Sequence, residues 1–199
     1  ARRDFAAPRL TPADGGPGLA VWCSAWYTGV VRHAIVAWKR VGRAELELEM
    51  ERAVARSAEA AGRVLEAITS AVAVVPVPSR AWRRVSRPSR GVEVLARAVA
   101  EALAGAGFDA VHGEALARAP WSKDQAGKSS RGRQAGREGA TRVVRRPEGR
   151  PVLLVDDILT TGATLLDAER ALARVGVAVL GAVVLAAAPG EAGRGDVAR

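Results

Sequence analysis

The chain has few of the residues that build disulfide scaffolds, metal clusters and aromatic surfaces. Its 199 residues include one cysteine, two histidines and only 4% aromatic side chains. The single cysteine, Cys23, excludes an intramolecular disulfide and a cysteine-based zinc cluster within the chain, and we interpret it as a small buried hydrophobe. The hydrophobic content of 49% therefore comes mainly from small aliphatic residues, enough for one core or one core plus a small appendage.

Long apolar runs are also missing. No stretch of about 18 uninterrupted apolar residues occurs, and the chain begins Ala-Arg-Arg-Asp, without a hydrophobic signal region. We therefore expect a cytoplasmic protein with no membrane insertion.

Positive charge is abundant and is concentrated in one segment. The formal net charge is +9, and nine basic residues stand against two acidic residues between positions 118 and 146. The same segment contains four glycines and few apolar residues, a composition typical of a long flexible loop. We predict a basic loop over about residues 118–142. Such a loop can close over a polyanionic substrate, bind nucleic acid or remain solvated without a ligand.

Hydrophobic periodicity divides the rest of the chain. Residues 1–20 show no period and are predicted to form a poorly ordered arm, and residues 189–199 a frayed tail. Apolar faces predict helices that start near Val30 and Ala44. After these helices, strands alternate with helices: a strand from Val72, a helix ending near Gly105, a short strand at 109–111, a strand at 152–155, a helix through Val175 and a strand from Val177 to about Ala187. This alternation predicts an α/β fold with a parallel sheet flanked by helices, in one domain over residues 21–188 whose core spans about 70–188.

The sequence VLLVDDILTTGAT, residues 152–164, carries most of the functional information. Its four leading apolar residues form a buried parallel strand that delivers Asp156 and Asp157 to its carboxyl end, where open α/β sheets bind ligands. A Thr-Thr-Gly turn and a helix start follow, so backbone N–H groups and hydroxyls can surround a phosphate there. The hydroxyls belong to Thr160, Thr161 and Thr164, and Gly162 permits close backbone approach. The pattern predicts an anion site beside sugar-binding carboxylates.

This motif resembles the phosphoribosyl-pyrophosphate (PRPP) signature of type I phosphoribosyltransferases, which has a hydrophobic strand, an acidic pair and T-T-G-x-T. The resemblance implies a type I phosphoribosyltransferase-like fold, in which Asp156 and Asp157 hold the ribose 2′ and 3′ hydroxyls. It also implies that the 5′-phosphate is wrapped by Ile158, Leu159, Thr160, Thr161, Gly162, Ala163 and Thr164. Mg²⁺ is implied as the cofactor, held mainly through the oxygens of PRPP, and no side chain is assigned to the metal.

Three further matches occur in order along the chain: Tyr27 and Gly29 followed by Lys39, the Pro-Val-Pro at 76–78 followed by Arg87, and Gln125 and Gly127 followed by Arg133. With them the chain resembles the ComF family, amidophosphoribosyltransferase-like proteins linked with DNA uptake in competent bacteria. The resemblance runs from about Trp26 to Ala188. The chain departs from the family in lacking the N-terminal four-cysteine zinc module of many members, and in carrying Pro88 where Gly is usual and Lys128 where Leu is usual.

The resemblance implies roles for three more segments. An N-terminal helical hood, about residues 21–68 and including Tyr27 and Lys39, would select the acceptor. A pyrophosphate loop would comprise Val77, Pro78, Ser79 and Arg80, and a flexible loop would contribute Gln125, Lys128 and Arg133.

We therefore expect a phosphoribosyltransferase that binds PRPP and transfers or exchanges a phosphoribosyl group with an unknown acceptor. The alternative is a non-catalytic protein of DNA uptake that senses PRPP or binds single-stranded DNA through its basic loops. The oligomeric state stays open, with a homodimer as one option.

Overall fold

The computed structural model describes residues 9–10, 18–41, 44–78, 91–118 and 141–189. The helices and strands within these ranges are β1 (Arg9–Leu10), β2 (Leu19–Trp26), α1 (Gly29–Val41), α2 (Ala44–Leu65), β3 (Ala71–Pro76), α3 (Gly91–Gly105), β4 (Asp109–His112), β5 (Leu116–Arg118), β6 (Thr141–Val143), β7 (Val152–Leu159), α4 (Ala163–Ala173) and β8 (Val179–Ala187). Across the described ranges, no helix combines the length and the apolarity that crossing a membrane requires.

A six-stranded sheet in the order β1-β2-β8-β7-β3-β4 forms the centre of the structure described here. In this spatial order, neighbouring strands are parallel throughout the series β2, β8, β7, β3 and β4. Only the two-residue β1 is antiparallel to its neighbour, β2. Parallel strands need both faces covered, which explains the almost uninterrupted apolar sequences of β3 and β8 and of the first four residues of β7. The prediction of an α/β fold with a parallel sheet flanked by helices is confirmed.

Helices cover both faces of the sheet and create two apolar cores. On one face α1, α2 and α3 pack around fully buried residues such as Val54, Leu103 and Leu153. On the other face α4 packs through Leu165 against residues such as Leu154. Burying a side chain of this size contributes about 1.5–3 kcal/mol. Because adjacent strand residues point to opposite faces, Leu153 and Leu154 enter different cores, and the same alternation separates the acidic side chains that follow.

The N-terminal region differs from the prediction. Residues 19–26 form β2, which pairs in parallel with β8 from Val21↔Ala182 to Trp26↔Ala187. The segment 21–26 is therefore part of the sheet and not of a helical hood, and β1 and the start of β2 lie inside the predicted arm of residues 1–20. The sequence LAVWCSAW is apolar on both faces, so it lacks the alternation that marks a half-exposed strand.

The signature strand is longer than predicted. It continues through Leu159, because β8 supplies hydrogen-bonding partners from Asp156↔Val184 to Leu159↔Ala187. Asp156 and Asp157 therefore lie within β7 and do not follow it. The expected loop between strand and helix is reduced to residues 160–162.

A small second sheet was not predicted. Strands β5 and β6 pair in antiparallel register, with Leu116 opposite Val143 and Arg118 opposite Thr141. At three residues each, they are too short for a periodic signal. Both ends of the predicted basic loop thus fall in strands, and its residues 119–140 lie outside the described residues. Near the C-terminus, α4 ends at Ala173 and β8 begins at Val179, two residues inside the predicted limits.

Candidate functional site

The carboxyl ends of the parallel strands meet at one edge of the sheet. Beyond the end of β2, the Tyr27 N–H donates to the carbonyl oxygen of Ala187 at 2.7 Å. Beyond the end of β3, the Val77 N–H donates to the carbonyl oxygen of Val155 at 2.8 Å. These bonds place Tyr27, from the predicted hood, and Val77, the first residue of the predicted pyrophosphate loop, beside the signature motif, at the edge where open α/β sheets bind ligands.

Asp156 is a buried acid at this edge, with 9% of its surface exposed. Its Oδ1 accepts a hydrogen bond of 2.8 Å from the backbone N–H of Asp157. Burial, and then the neighbouring charge of Asp157, raise the pKa of Asp156 to about 7, although that N–H and Lys39 act in the opposite direction. Near neutral pH the carboxyl group is therefore able to donate or accept a hydrogen bond, which suits a sugar hydroxyl.

Asp157 makes an ion pair with Lys39, which lies near the end of α1. The Asp157 side chain is 13% exposed and the Lys39 side chain 30% exposed. Asp156 lines a depression next to α4, whereas Asp157 meets a helix that packs on the other face of the sheet. The two acids thus point in different directions, as the alternation of strand residues requires. The sequence places Lys39 and Asp157 in separate motifs, and nothing in it indicates their contact.

The turn after β7 leads into a helix whose N-cap residue, Gly162, has no side chain to cap the first N–H groups. Gly162 precedes α4 with φ 69° and ψ −5°, a left-handed conformation that favours glycine. Its position is buried, and no side chain caps the helix there. The Ala163 N–H makes one long contact of 3.4 Å with the Thr161 hydroxyl. A helix start with uncapped N–H groups is a favourable place for an anion.

A shallow depression lies in front of this turn. It is lined by Asp156, Ile158, Leu159, Thr160, Gly162, Thr164 and Leu165. The depression joins a carboxyl group, which is able to hydrogen-bond hydroxyls, to a helix start, which is a favourable place for anions. Both features were predicted for this motif from its sequence.

The predicted 5′-phosphate segment separates into two parts. Ile158 and Leu159 belong to β7, and the Leu159 side chain is 3% exposed and packs in the core beneath α4. Residues 160, 161, 163 and 164 are exposed. The part that is able to surround a phosphate therefore begins at Thr160, two residues later than the sequence prediction, because the strand continues to Leu159.

The other predicted site residues have mixed outcomes. Tyr27 packs against the core on the α1 side, and Lys39 makes an ion pair with Asp157. Val77 is buried and Pro78 is half-buried at the site edge. Ser79, Arg80, Gln125, Lys128 and Arg133 lie outside the described residues.

Among the described residues, no group of three or more His, Cys, Asp or Glu side chains is able to hold a metal ion. Asp156 and Asp157 offer the oxygen ligands that Mg²⁺ prefers, but one is buried and the other is paired with Lys39. Such an incomplete set fits a metal ion that obtains most of its ligands from a bound diphosphate and from water.

Comparison with known protein families gives a match to the phosphoribosyl transferase domain over residues 47–196. The matched span covers about three quarters of the chain, and it contains β3 to β8 with the whole acidic and threonine motif. Strands β1 and β2 and helix α1 precede it. A comparison with curated proteins finds no match. The family match and the mostly parallel, helix-flanked sheet agree, and the chain belongs to the phosphoribosyl transferase domain family, with the type I α/β fold.

Proposed function

We propose that the protein binds PRPP at the carboxyl edge of its sheet and transfers the phosphoribosyl group to an acceptor, with release of diphosphate. The observation that supports this most directly is the position of Asp156. The buried carboxyl group and the uncapped start of α4 line the same depression, inside the span that matches the family.

Each part of PRPP has a partner in this proposal. Asp156 and Asp157 bind the ribose 2′ and 3′ hydroxyls, and residues 160–164 bind the 5′-phosphate. The backbone at Val77 and Pro78 begins the loop that binds the diphosphate, and this loop lies next to β7 through the Val77 N–H. The oxygens of PRPP would hold most of the coordination of a Mg²⁺ ion, which would neutralise charge on the diphosphate.

The reaction breaks the bond between ribose C1 and the diphosphate oxygen and forms a bond between C1 and the nucleophilic atom of the acceptor. Diphosphate leaves with the electron pair of the broken bond, and positive charge develops on the ribose. No protein nucleophile is required, so the residues act by positioning the sugar, stabilising the charges and excluding water.

Titration calorimetry with PRPP tests the proposal, first with Mg²⁺ and then with EDTA. We expect magnesium-dependent binding by the wild type and no detectable binding by the double variant Asp156→Asn, Asp157→Asn. The variant Asp109→Asn removes a mostly exposed carboxylate on β4 and serves as the matched control. Equal PRPP affinity in the wild type and the folded double variant would refute the assignment of the site.

Transfer itself is tested by diphosphate release. Wild-type protein, PRPP and Mg²⁺ are mixed with panels of purines, pyrimidines and other amines, and diphosphate is measured with a coupled assay. We expect release with at least one acceptor class and none from the double variant. Binding of PRPP without release in any mixture would support the non-catalytic, PRPP-sensing alternative.

Single-stranded DNA is a second candidate ligand, and the charge distribution favours it. Most of the excess positive charge lies between residues 118 and 146, and Arg142, Arg145 and Arg146 are exposed. This agrees with the proposed membership of the ComF family. We expect oligonucleotide binding that weakens steeply as salt is raised. Absence of binding at low salt would remove this candidate.

A further inference from the structure

The last turn of α1 is attached to both sides of the candidate site. Lys39 pairs with Asp157 in β7. The preceding residue, Trp38, is 3% exposed, and its ring packs against Gly91, the first residue of α3, where an added Cβ would lie 3.1 Å from the ring. The side chain of Lys39 thus joins α1 to β7, and the side chain of Trp38 joins α1 to α3, the helix that follows residues 79–90.

The Lys39 ion pair is not needed to hold α1 in place. Ile35 and Trp38 on the same helix are almost fully buried in the core shared with α2 and α3. Lys39 is itself 30% exposed, and its ammonium extends to a carboxylate that is only 13% exposed. A pair at this depth has its main effect on the charge and orientation of the acid, since packing already fixes the helix.

Lys39 also lies outside the part of the chain that matches the family. The match begins at residue 47, whereas α1 ends at Val41. The acids belong to the matched domain, but the cation that neutralises one of them is supplied by the preceding segment. This segment therefore takes part in the chemistry of the site as well as covering it.

We propose that Lys39 is a positioning residue for sugar recognition: its ion pair fixes the orientation of the Asp157 carboxylate, which accepts a hydrogen bond from one ribose hydroxyl. This inference rests on the proposed function, because it assigns roles within the same PRPP site.

Two variants and a matched control test the inference. Lys39→Met removes the charge and keeps most of the apolar stem, and Lys39→Arg keeps the charge. Arg40→Met removes one positive charge from the next, exposed position of the same helix. All three should fold, which thermal unfolding and circular dichroism check.

The first readout needs no ligand. Carboxyl carbons of the aspartates are followed by NMR while the pH is varied. Asp157 and Lys39 are the charged groups acting on Asp156 among the described residues, and Lys39 lowers its pKa. We expect Asp156 to titrate at higher pH in Lys39→Met, and at the wild-type pH in Lys39→Arg and Arg40→Met. An unchanged titration in Lys39→Met would overturn the inference, whether or not PRPP binds.

The second readout is the affinity for PRPP with Mg²⁺ across pH. We expect Lys39→Met to weaken binding by at least about tenfold at pH 7, as expected for a disturbed hydrogen bond to a charged group, with partial recovery in Lys39→Arg and wild-type affinity in Arg40→Met. Equal losses in Lys39→Met and Arg40→Met would show a general effect of charge and overturn the positioning role. If the wild type fails to bind PRPP, both the proposed function and the role of Lys39 in sugar recognition are refuted. If the wild type and Lys39→Met bind PRPP with equal affinity, only the role of Lys39 is refuted.

Discussion

The buried carboxyl group of Asp156 makes the stability of the fold depend on pH. Its pKa is raised from an ordinary value of 3.8 to about 7, chiefly by burial. Since the folded state holds this proton more tightly than the unfolded state, the contribution is fully present below about pH 4. It is lost as the pH rises through 7. Asp156→Asn keeps the size and polarity of the side chain but cannot ionise, so the variant should be more stable than the wild type at pH 8.

The size of the effect follows from the two pKa values. They differ by about 3 units, and one unit corresponds to about 1.36 kcal/mol. The difference in unfolding free energy between the wild type and Asp156→Asn should therefore change by about 4 kcal/mol from pH 4 to pH 8. For a domain of this length, a change of that size raises the melting temperature of the variant by roughly 10 °C at pH 8. At pH 4 the two proteins should have similar melting temperatures.

Urea and thermal unfolding at intervals from pH 4 to pH 8 measure this difference directly. Asp109→Asn, at a mostly exposed carboxylate, is the control and should follow the wild-type pH dependence. If wild type and Asp156→Asn lose stability in parallel over the whole range, Asp156 does not ionise at an elevated pH, and the reasoning is refuted. The same substitution should weaken PRPP binding, so one residue would lower the stability of the protein while supporting its function.

Two glycine substitutions give further predictions. Gly162→Ala places a side chain at a left-handed backbone position, which should lower the free energy of unfolding by about 1–2 kcal/mol. Calorimetry should also show weaker PRPP binding, because the turn at residues 160–162 shifts. Gly181→Ala puts a Cβ 2.5 Å from the Trp22 ring and 2.8 Å from the Ala20 carbonyl oxygen, so urea unfolding should show that the free energy of unfolding falls by about 1–3 kcal/mol. Gly105 has open space around it, so the control variant Gly105→Ala should show little change. Unaltered stability in Gly181→Ala would mean that the contact between β2 and β8 is looser than described.

The parts of the fold with strong local signals were predictable. Strand β3 and helices α2 and α3 have clear apolar patterns, and the expected starts of β3 and α2 and the expected end of α3 lie within a residue of the observed ones. The phosphate turn was recognisable because threonine hydroxyls, a glycine and a helix start occur together in the sequence. These features depend on neighbours in the chain, which a sequence displays directly.

The features that were missed depend on distant partners. Strand β2 exists because β8 pairs with it, and β7 continues through Leu159 for the same reason. The ion pair between Lys39 and Asp157 requires α1 to lie over the sheet edge. Hydrophobic periodicity contains no information about such pairings, so one sequence does not show which acid points towards which helix.

The parallel pairing of β2 with β8 has a consequence for how the protein is made. The ribosome synthesises β2 long before its partner, residues 179–187. Until those residues emerge, β2 lacks its main neighbour in the sheet, and Val21 and Trp22 lack their final packing. Contacts of such large sequence separation slow folding. Because the backbone of Tyr27 is bonded to Ala187, the ligand-binding edge is completed in the same late step as the sheet, and nascent chains should acquire PRPP binding only when β8 has left the ribosome.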